Sequence, residues 1–180
     1  MKIYVIRHGR TKMNKNMVLN GQIDEDISEE GIEQAKEASM KVKDLDLDVV
    51  YCSPLLRARH TCEIINVNNV PVIYDDRLME RTFGEGDGKS LKDLGMVYDD
   101  YISYSFQIDI PGYEDMPTFF KRVHSFLDDL KTKDYKNVLI STHGCVLRAI
   151  YYYFHDVPED GNLAKLYPRP ENCQIDVYEL

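Results

Sequence analysis

The apolar positions of this chain switch repeatedly between the period of a strand and that of a helix. Ile3-Tyr4-Val5-Ile6, β-branched at three of four positions, stops abruptly at Arg7-His8-Gly9, which predicts a buried strand delivering polar groups at its carboxyl end. A polar stretch from Lys12 to Ile27, with Asn14, Asn16, Asn20 and Gly21, predicts a loop across that strand end. Ser28 then caps a helix whose inward positions are Ile32, Ala35, Ser39 and Val42. Asp48 to Cys52 reads as a strand, and Ser53-Pro54 as an N-cap followed by proline at the first helical position, with Leu55, Ala58, Cys62 and Ile65 facing inward. Val70 to Tyr74 makes a third strand.

From Asp75 to Thr118 this alternation breaks. The glycine-bearing turn after Leu78-Met79-Glu80-Arg81 leads into Leu91, Leu94, Tyr98, Tyr101 and Ile102, spaced as one amphipathic helix. Regular order returns with a helix through Phe119, Val123, Phe126, Leu127 and Leu130. A strand from Asn137 to Thr142 ends in His143-Gly144 and feeds a helix through Val146, Leu147, Ala149 and Ile150. Cys173, Ile175 and Val177 alternate with Gln174, Asp176 and Tyr178, predicting an edge strand with one buried face. The whole pattern predicts an α/β three-layer sandwich: a mainly parallel central sheet, one antiparallel edge strand, and helices on both faces. One domain is expected over residues 1–180, with 84–118 a lid-like segment governing substrate choice.

Composition narrows the function. The net charge of -9 argues against nucleic acid as a partner, because such binding begins on a basic face. The first apolar run meets Arg7 and His8 too early for a signal-peptide core, and no run approaches the roughly 20 residues needed to cross a bilayer, so a cytoplasmic, membrane-free protein is expected. Cys52, Cys62, Cys145 and Cys173 lie far apart with no CxxC, and no HxH or HExxH occurs. Reduced thiols and no metal or other cofactor follow as expectations.

Chemistry concentrates at strand ends. In a parallel sheet the junctions at His8 and His143 lie on one side, with Arg57 in the first turn of a neighbouring helix and Arg7 beside His8. Two imidazoles and two guanidiniums suit a tetrahedral dianion held by forked N–H donors. Glu80, after the third strand, is the candidate proton donor. His60, His124 and His155 read as surface or packing residues.

These blocks carry a resemblance. Arg7-His8-Gly9 with Asn14, then Ser53-Pro54-Leu55-Leu56-Arg57-Ala58-Arg59-His60-Thr61, then Leu78-Met79-Glu80-Arg81 before Phe83-Gly84, then Ser141-Thr142-His143-Gly144, together resemble the histidine phosphatase superfamily (phosphoglycerate mutase-like) in order and spread. The resemblance implies phosphoryl transfer through a phosphohistidine on His8. It gives Arg7, Arg57 and His143 the phosphoryl oxygens, Glu80 the leaving-group proton and later the attacking water, and Asn14 a contact near the phosphate. Gln22 and Arg81 join them as candidate substrate contacts, and no metal is implied.

Chain length and block placement are similar to the small bacterial phosphatases of the family, α-ribazole phosphatases among them. Residues 84–118 carry eight acids against Lys89 and Lys92, so repulsion of a multiply anionic sugar acid is expected, favouring a phosphatase over a phosphoglycerate mutase. A binding module without turnover is the third reading. The expected partner is a small phosphorylated metabolite, and the expected state a monomer or homodimer. Arg10 and Pro111 to Asp115 depart from the family pattern near the expected substrate entrance, and Tyr98, Tyr101, Tyr104 and Phe106 are a candidate aromatic wall.

Overall fold

The computed structural model describes residues 1–180. Five strands form one sheet: β1 (Lys2–Arg7), β2 (Val49–Cys52), β3 (Val72–Tyr74), β4 (Asn137–Thr142) and β5 (Ile175–Glu179), in the order β3-β2-β4-β1-β5. All neighbours are parallel except β5, which runs antiparallel to β1 at the edge. The expected fold class is the observed one.

Strand alternation divides the core into two layers. Ile3 and Val5 of β1 and Val138 and Ile140 of β4 face α5 (Met116–Leu130) and α6 (Gly144–Phe154). Ile6 and Leu139, one residue out of phase, face α2 (Glu29–Val42) and α3 (Leu56–Ile65) on the other side. The α2 face is built from Gly31, Ala35, Ala38 and Val42, with Ile32 and Ser39 at its margin.

Several local expectations change. Lys12–Lys15 forms a one-turn helix, α1, capped by the Thr11 hydroxyl, inside the expected loop. Ser53 does not cap α3: Leu55 holds that place without a side-chain cap bond, while Asp24 accepts the Leu56 N–H at 2.6 Å. The Ser53 hydroxyl is engaged elsewhere. The single helix expected over Leu91–Ile102 does not form: residues 91–95 are turns ending at Gly95, whose φ is +67°, and only Tyr98–Ile102 is helical. Helix α4 (Tyr98–Ile102) starts afresh, with the Asp100 carboxylate accepting the Val97 N–H. β3 is shorter than Val70–Tyr74 because the Asn66 side chain closes a loop on the Val70 backbone. β5 lacks the expected one-sided burial: Ile175 and Tyr178 pack on opposite layers, and Val177 is 51% exposed. No helix is long and apolar enough to cross a membrane.

Candidate active site

Register brings the two histidines together. Arg7 pairs with Thr142 across β1 and β4, so His8 and His143 leave the sheet at one level, their ring centroids 5.2 Å apart. β2 pairs Cys52 with Ser141, which places Ser53 beside His143. Close backbone packing seats this edge. A Cβ on Gly9 would lie 2.5 Å from the Gly31 carbonyl oxygen, so the turn after His8 rests directly on the start of α2.

Both imidazoles are buried. The Gly9 carbonyl accepts a bond from His8 Nδ1 at 2.8 Å, which assigns the proton to Nδ1 and leaves the Nε2 lone pair free. Burial, then the charges of Arg57 and Arg7, hold His8 well below the usual histidine range, so it is neutral. His143 is depressed in the same direction by burial, then by Arg57, His8 and Arg7. Its Nε2 lies 2.7 Å from the Ser53 hydroxyl, and its Nδ1 is buried without a partner.

Two guanidiniums act on His8. Arg7 donates to the Pro170 carbonyl, and Arg57 donates to Gly21 and Ile23 carbonyls at 2.7 Å each. Neither has a carboxylate within ion-pair distance, and the Nε of each is buried and unbonded. Burial lowers both pKa values, with Glu80 opposing that shift in each; guanidinium remains charged regardless. Arg7 Nε, Arg57 Nε and His143 Nδ1 are each buried without a protein partner, and both guanidiniums act on the neutral His8 imidazole.

Glu80 reaches the site on a tethered chain. The Thr142 hydroxyl donates to the Leu78 carbonyl, and Arg122, paired with Glu114, donates to the Arg77 and Met79 carbonyls at 2.8 and 3.0 Å. The Glu80 carboxylate accepts the Arg81 N–H at 3.0 Å and the Cys145 N–H at 3.4 Å. This positions it between α6 and a cavity of about 310 Å³ that Arg7, His8 and Glu80 also line. Arg57 and His143 are buried beside His8 and do not themselves line the cavity.

The other candidates divide. Asn14 lines the cavity, its amide bonded to Asn20 and its oxygen accepting from Asn172. Gln22 does not line it; its side chain donates to the Glu80 carbonyl at 3.1 Å, so it holds Glu80 rather than facing a substrate. Arg81 lines the cavity, buried against the Phe83 ring at 4.4 Å. Of the expected aromatic wall, Tyr98 and Tyr101 are present with Phe83, whereas Tyr104 packs on Phe120 and Phe106 lies elsewhere. Arg10 pairs with Glu30 on the surface. His60 bonds Asp26, His124 bonds the Ala149 carbonyl, and His155 stacks on Tyr151, as packing residues do.

The repulsion expected from residues 84–118 is not built into the cavity. None of their eight acids lines it, and its only acid is Glu80. Arg148 and Arg169, both missed from sequence, line it instead. Arg148 could have been found, since a lone guanidinium inside Val146-Leu147-Arg148-Ala149-Ile150 has no ordinary place on a buried helix face. Nowhere do three His, Cys, Asp or Glu side chains converge as a metal site would require, and the four cysteines are unpaired.

Comparison with known proteins gives a consistent picture. The model of the histidine phosphatase superfamily (branch 1) matches residues 3–179. Phosphoserine phosphatase 1 of Hydrogenobacter thermophilus is 28% identical over 84% of this chain and 74% of its own. A 2,3-bisphosphoglycerate-dependent phosphoglycerate mutase of Lactiplantibacillus plantarum is 30% identical over 88% of this chain and 86% of its own. The crystal structure of the α-ribazole phosphatase from Shigella flexneri superposes with a TM-score of 0.84 at 28% identity, covering 100% of this chain and 91% of that one.

Proposed function

The chain belongs to the histidine phosphatase superfamily, and from that premise we propose that it is a metal-independent phosphatase of small phosphate monoesters working through a phosphohistidine on His8. The observation that carries this reading is a buried neutral His8 with its Nε2 free, close to His143 and acted on by Arg7 and Arg57, whose guanidiniums have no carboxylate partner. Buried donors without a protein partner are costly unless an acceptor reaches them, and a phosphoryl group offers several acceptor oxygens.

In the first step the Nε2 lone pair forms a bond to phosphorus as the bond to the ester oxygen breaks. Glu80 gives its proton to that oxygen. Arg7, Arg57 and His143 hold the equatorial oxygens and neutralise the charge that develops there. In the second step water attacks phosphorus, Glu80 takes its proton, and the Nε2–phosphorus bond breaks to release phosphate. Depression of the His8 pKa serves this chemistry, because only a neutral imidazole has the lone pair. The Gly9 carbonyl keeps the proton on the far nitrogen throughout.

The expected result is hydrolysis of p-nitrophenyl phosphate in EDTA, with an acid-labile phosphoryl group trapped on His8 and activity lost in His8→Ala. Full activity in that variant would overturn the reading, and tight ester binding without turnover would leave the binding module. A mutase is the second reading, favoured by the arginine-lined cavity. Against it, the alignment with the Lactiplantibacillus mutase spans 197 positions, more than the 180 residues here, so the mutase carries insertions this chain lacks. A coupled assay in which phosphoglycerates interconvert faster than phosphate is released would select the mutase. An α-ribazole-type ester is one candidate substrate supported by the Shigella likeness and the aromatic wall.

A further inference from the structure

Beyond His8 the cavity carries more positive charge than one phosphoryl group uses. Arg7, Arg81, Arg148 and Arg169 line it against the single acid Glu80. Arg81 and Arg148 are 1% and 2% exposed, and neither has a carboxylate within ion-pair distance. Burying a guanidinium without a counter-charge is unfavourable unless something that binds there supplies one.

Both cations line the same cavity and act on the same pair of groups. The Tyr101 hydroxyl and the Cys145 thiol touch at 3.1 Å, and both groups feel Arg81 and Arg148. Neither can supply the missing charge, because burial pushes the thiol up to about 11 and raises the phenol as well. Arg81 is partly occupied as a strut: it lies over the Phe83 and Tyr101 rings and reaches Met116 Sδ and the Tyr101 carbonyl, yet its Nε has no partner. Arg148 has much less. Its single hydrogen bond runs from Nε to the Tyr167 carbonyl at 3.4 Å, and no ring stacks on it. The same cavity also has apolar wall in Val18, Leu19, Phe83, Leu91 and Tyr98.

Resting on the phosphatase reading, we propose that the alcohol released from the substrate carries a carboxylate on an apolar or aromatic body, and that Arg148 with Arg81 receives it. Guanidinium forks match a carboxylate in two bonds, and the apolar wall takes the carbon skeleton between the two anionic ends. An ammonium group would find only Glu80, already needed at the ester oxygen, so amino-bearing leaving groups are selected against.

The test compares three esters of matched size: 4-(2-carboxyethyl)phenyl phosphate, its carboxamide, and 4-(2-aminoethyl)phenyl phosphate. The wild-type kcat/KM is expected to favour the carboxylate over the amide by at least about tenfold, as a charge-assisted bond would give, with the amine last. In Arg148→Gln the carboxylate-to-amide ratio collapses towards one, and in Arg148→Lys part of it survives. A wild-type ratio near one, or an undiminished ratio in Arg148→Gln, overturns the proposal, and the wild-type ratio decides even if the variant does not fold. Hydrolysis of none of the three would instead count against the phosphatase reading. The ratio of dissociation constants for His8→Ala, measured by calorimetry, would then test the carboxylate site without turnover.

Discussion

Ser53→Ala separates a structural role for the Ser-Pro block from a chemical one. His143 is neutral in the folded protein, so only one ring nitrogen carries a proton. To hold a phosphoryl oxygen that proton must be on Nδ1, the nitrogen with no protein partner, and Nε2 must then accept from the Ser53 hydroxyl 2.7 Å away. The Leu55 N–H approaches the same hydroxyl oxygen at 3.4 Å, which leaves the Ser53 O–H free to donate in that direction. Both side chains are wholly buried, so water cannot replace the lost bond easily.

Leaving a buried polar group unsatisfied costs about 1–3 kcal/mol, and that energy is what favours the Nδ1–H tautomer. Its loss reduces the competent tautomer by a factor of roughly 5 to 150. We therefore expect kcat/KM on p-nitrophenyl phosphate to fall within that range in Ser53→Ala, with the melting temperature lowered by about 2–12 °C. The decisive measurement is the double-mutant cycle with His143→Ala. If Ser53 acts through His143, Ser53→Ala costs little further activity once the imidazole is gone. A folded Ser53→Ala within about twofold of wild type, or an equal loss in the His143→Ala background, would refute the reasoning.

Acid should destabilise the fold through both histidines: their depressed folded-state pKa values mean that the unfolded chain binds protons the native one refuses, so stability falls as pH drops below about 6.5. Urea unfolding from pH 6.5 to 5.5 should show a slope approaching ~2.7 kcal/mol per pH unit, roughly halved in His143→Gln. Gly31→Ala would put a Cβ 2.3 Å from the Arg10 carbonyl oxygen and 2.7 Å from its nitrogen, backbone atoms bonded to Ser28 and Gln34. A loss of about 2 kcal/mol or more by denaturant unfolding is expected, together with lower kcat, since the shift passes to His8. Arg122→Ala frees the Arg77 and Met79 carbonyls and should lower kcat/KM while His8 still accepts a phosphoryl group in a single-turnover trap.

Arg7, His8 and His143 were legible in the chain because each stands where an apolar run ends. Val138 to Thr142 are buried on both faces and Ile3 to Ile6 nearly so, Tyr4 alone being half-buried, so the first polar residues after them had to emerge together once the strands were parallel. Interactions that depend on register were hidden. Ser53 reads as a cap from its neighbours, and only the alignment of Cys52 with Ser141 sets it against His143. Gln22 reads as a loop residue facing solvent or substrate, and its bond to the Glu80 carbonyl spans 58 positions of sequence. The break at Gly95 was legible in principle, since a helix crossing glycine with positive φ is disfavoured, but periodicity on both sides concealed it.

The acidic segment shows why net charge along a chain is a poor guide to the charge a substrate meets. Asp87 accepts from the Gln22 and Phe83 N–H groups and the Thr82 hydroxyl, Asp93 from Ser90, and Asp115 from the Thr118 N–H. Glu114 spends its charge on Arg122. These carboxylates hold turns and helix starts in a segment with little regular structure, where unpaired backbone groups are the main cost of order. The field inside the cavity comes from elsewhere, from Arg148 on α6, Arg81 beside Glu80 and Arg169 near the chain's end. The charge a ligand meets on this fold therefore follows the few side chains that face the cavity, and here four of them are arginines against the one acid Glu80.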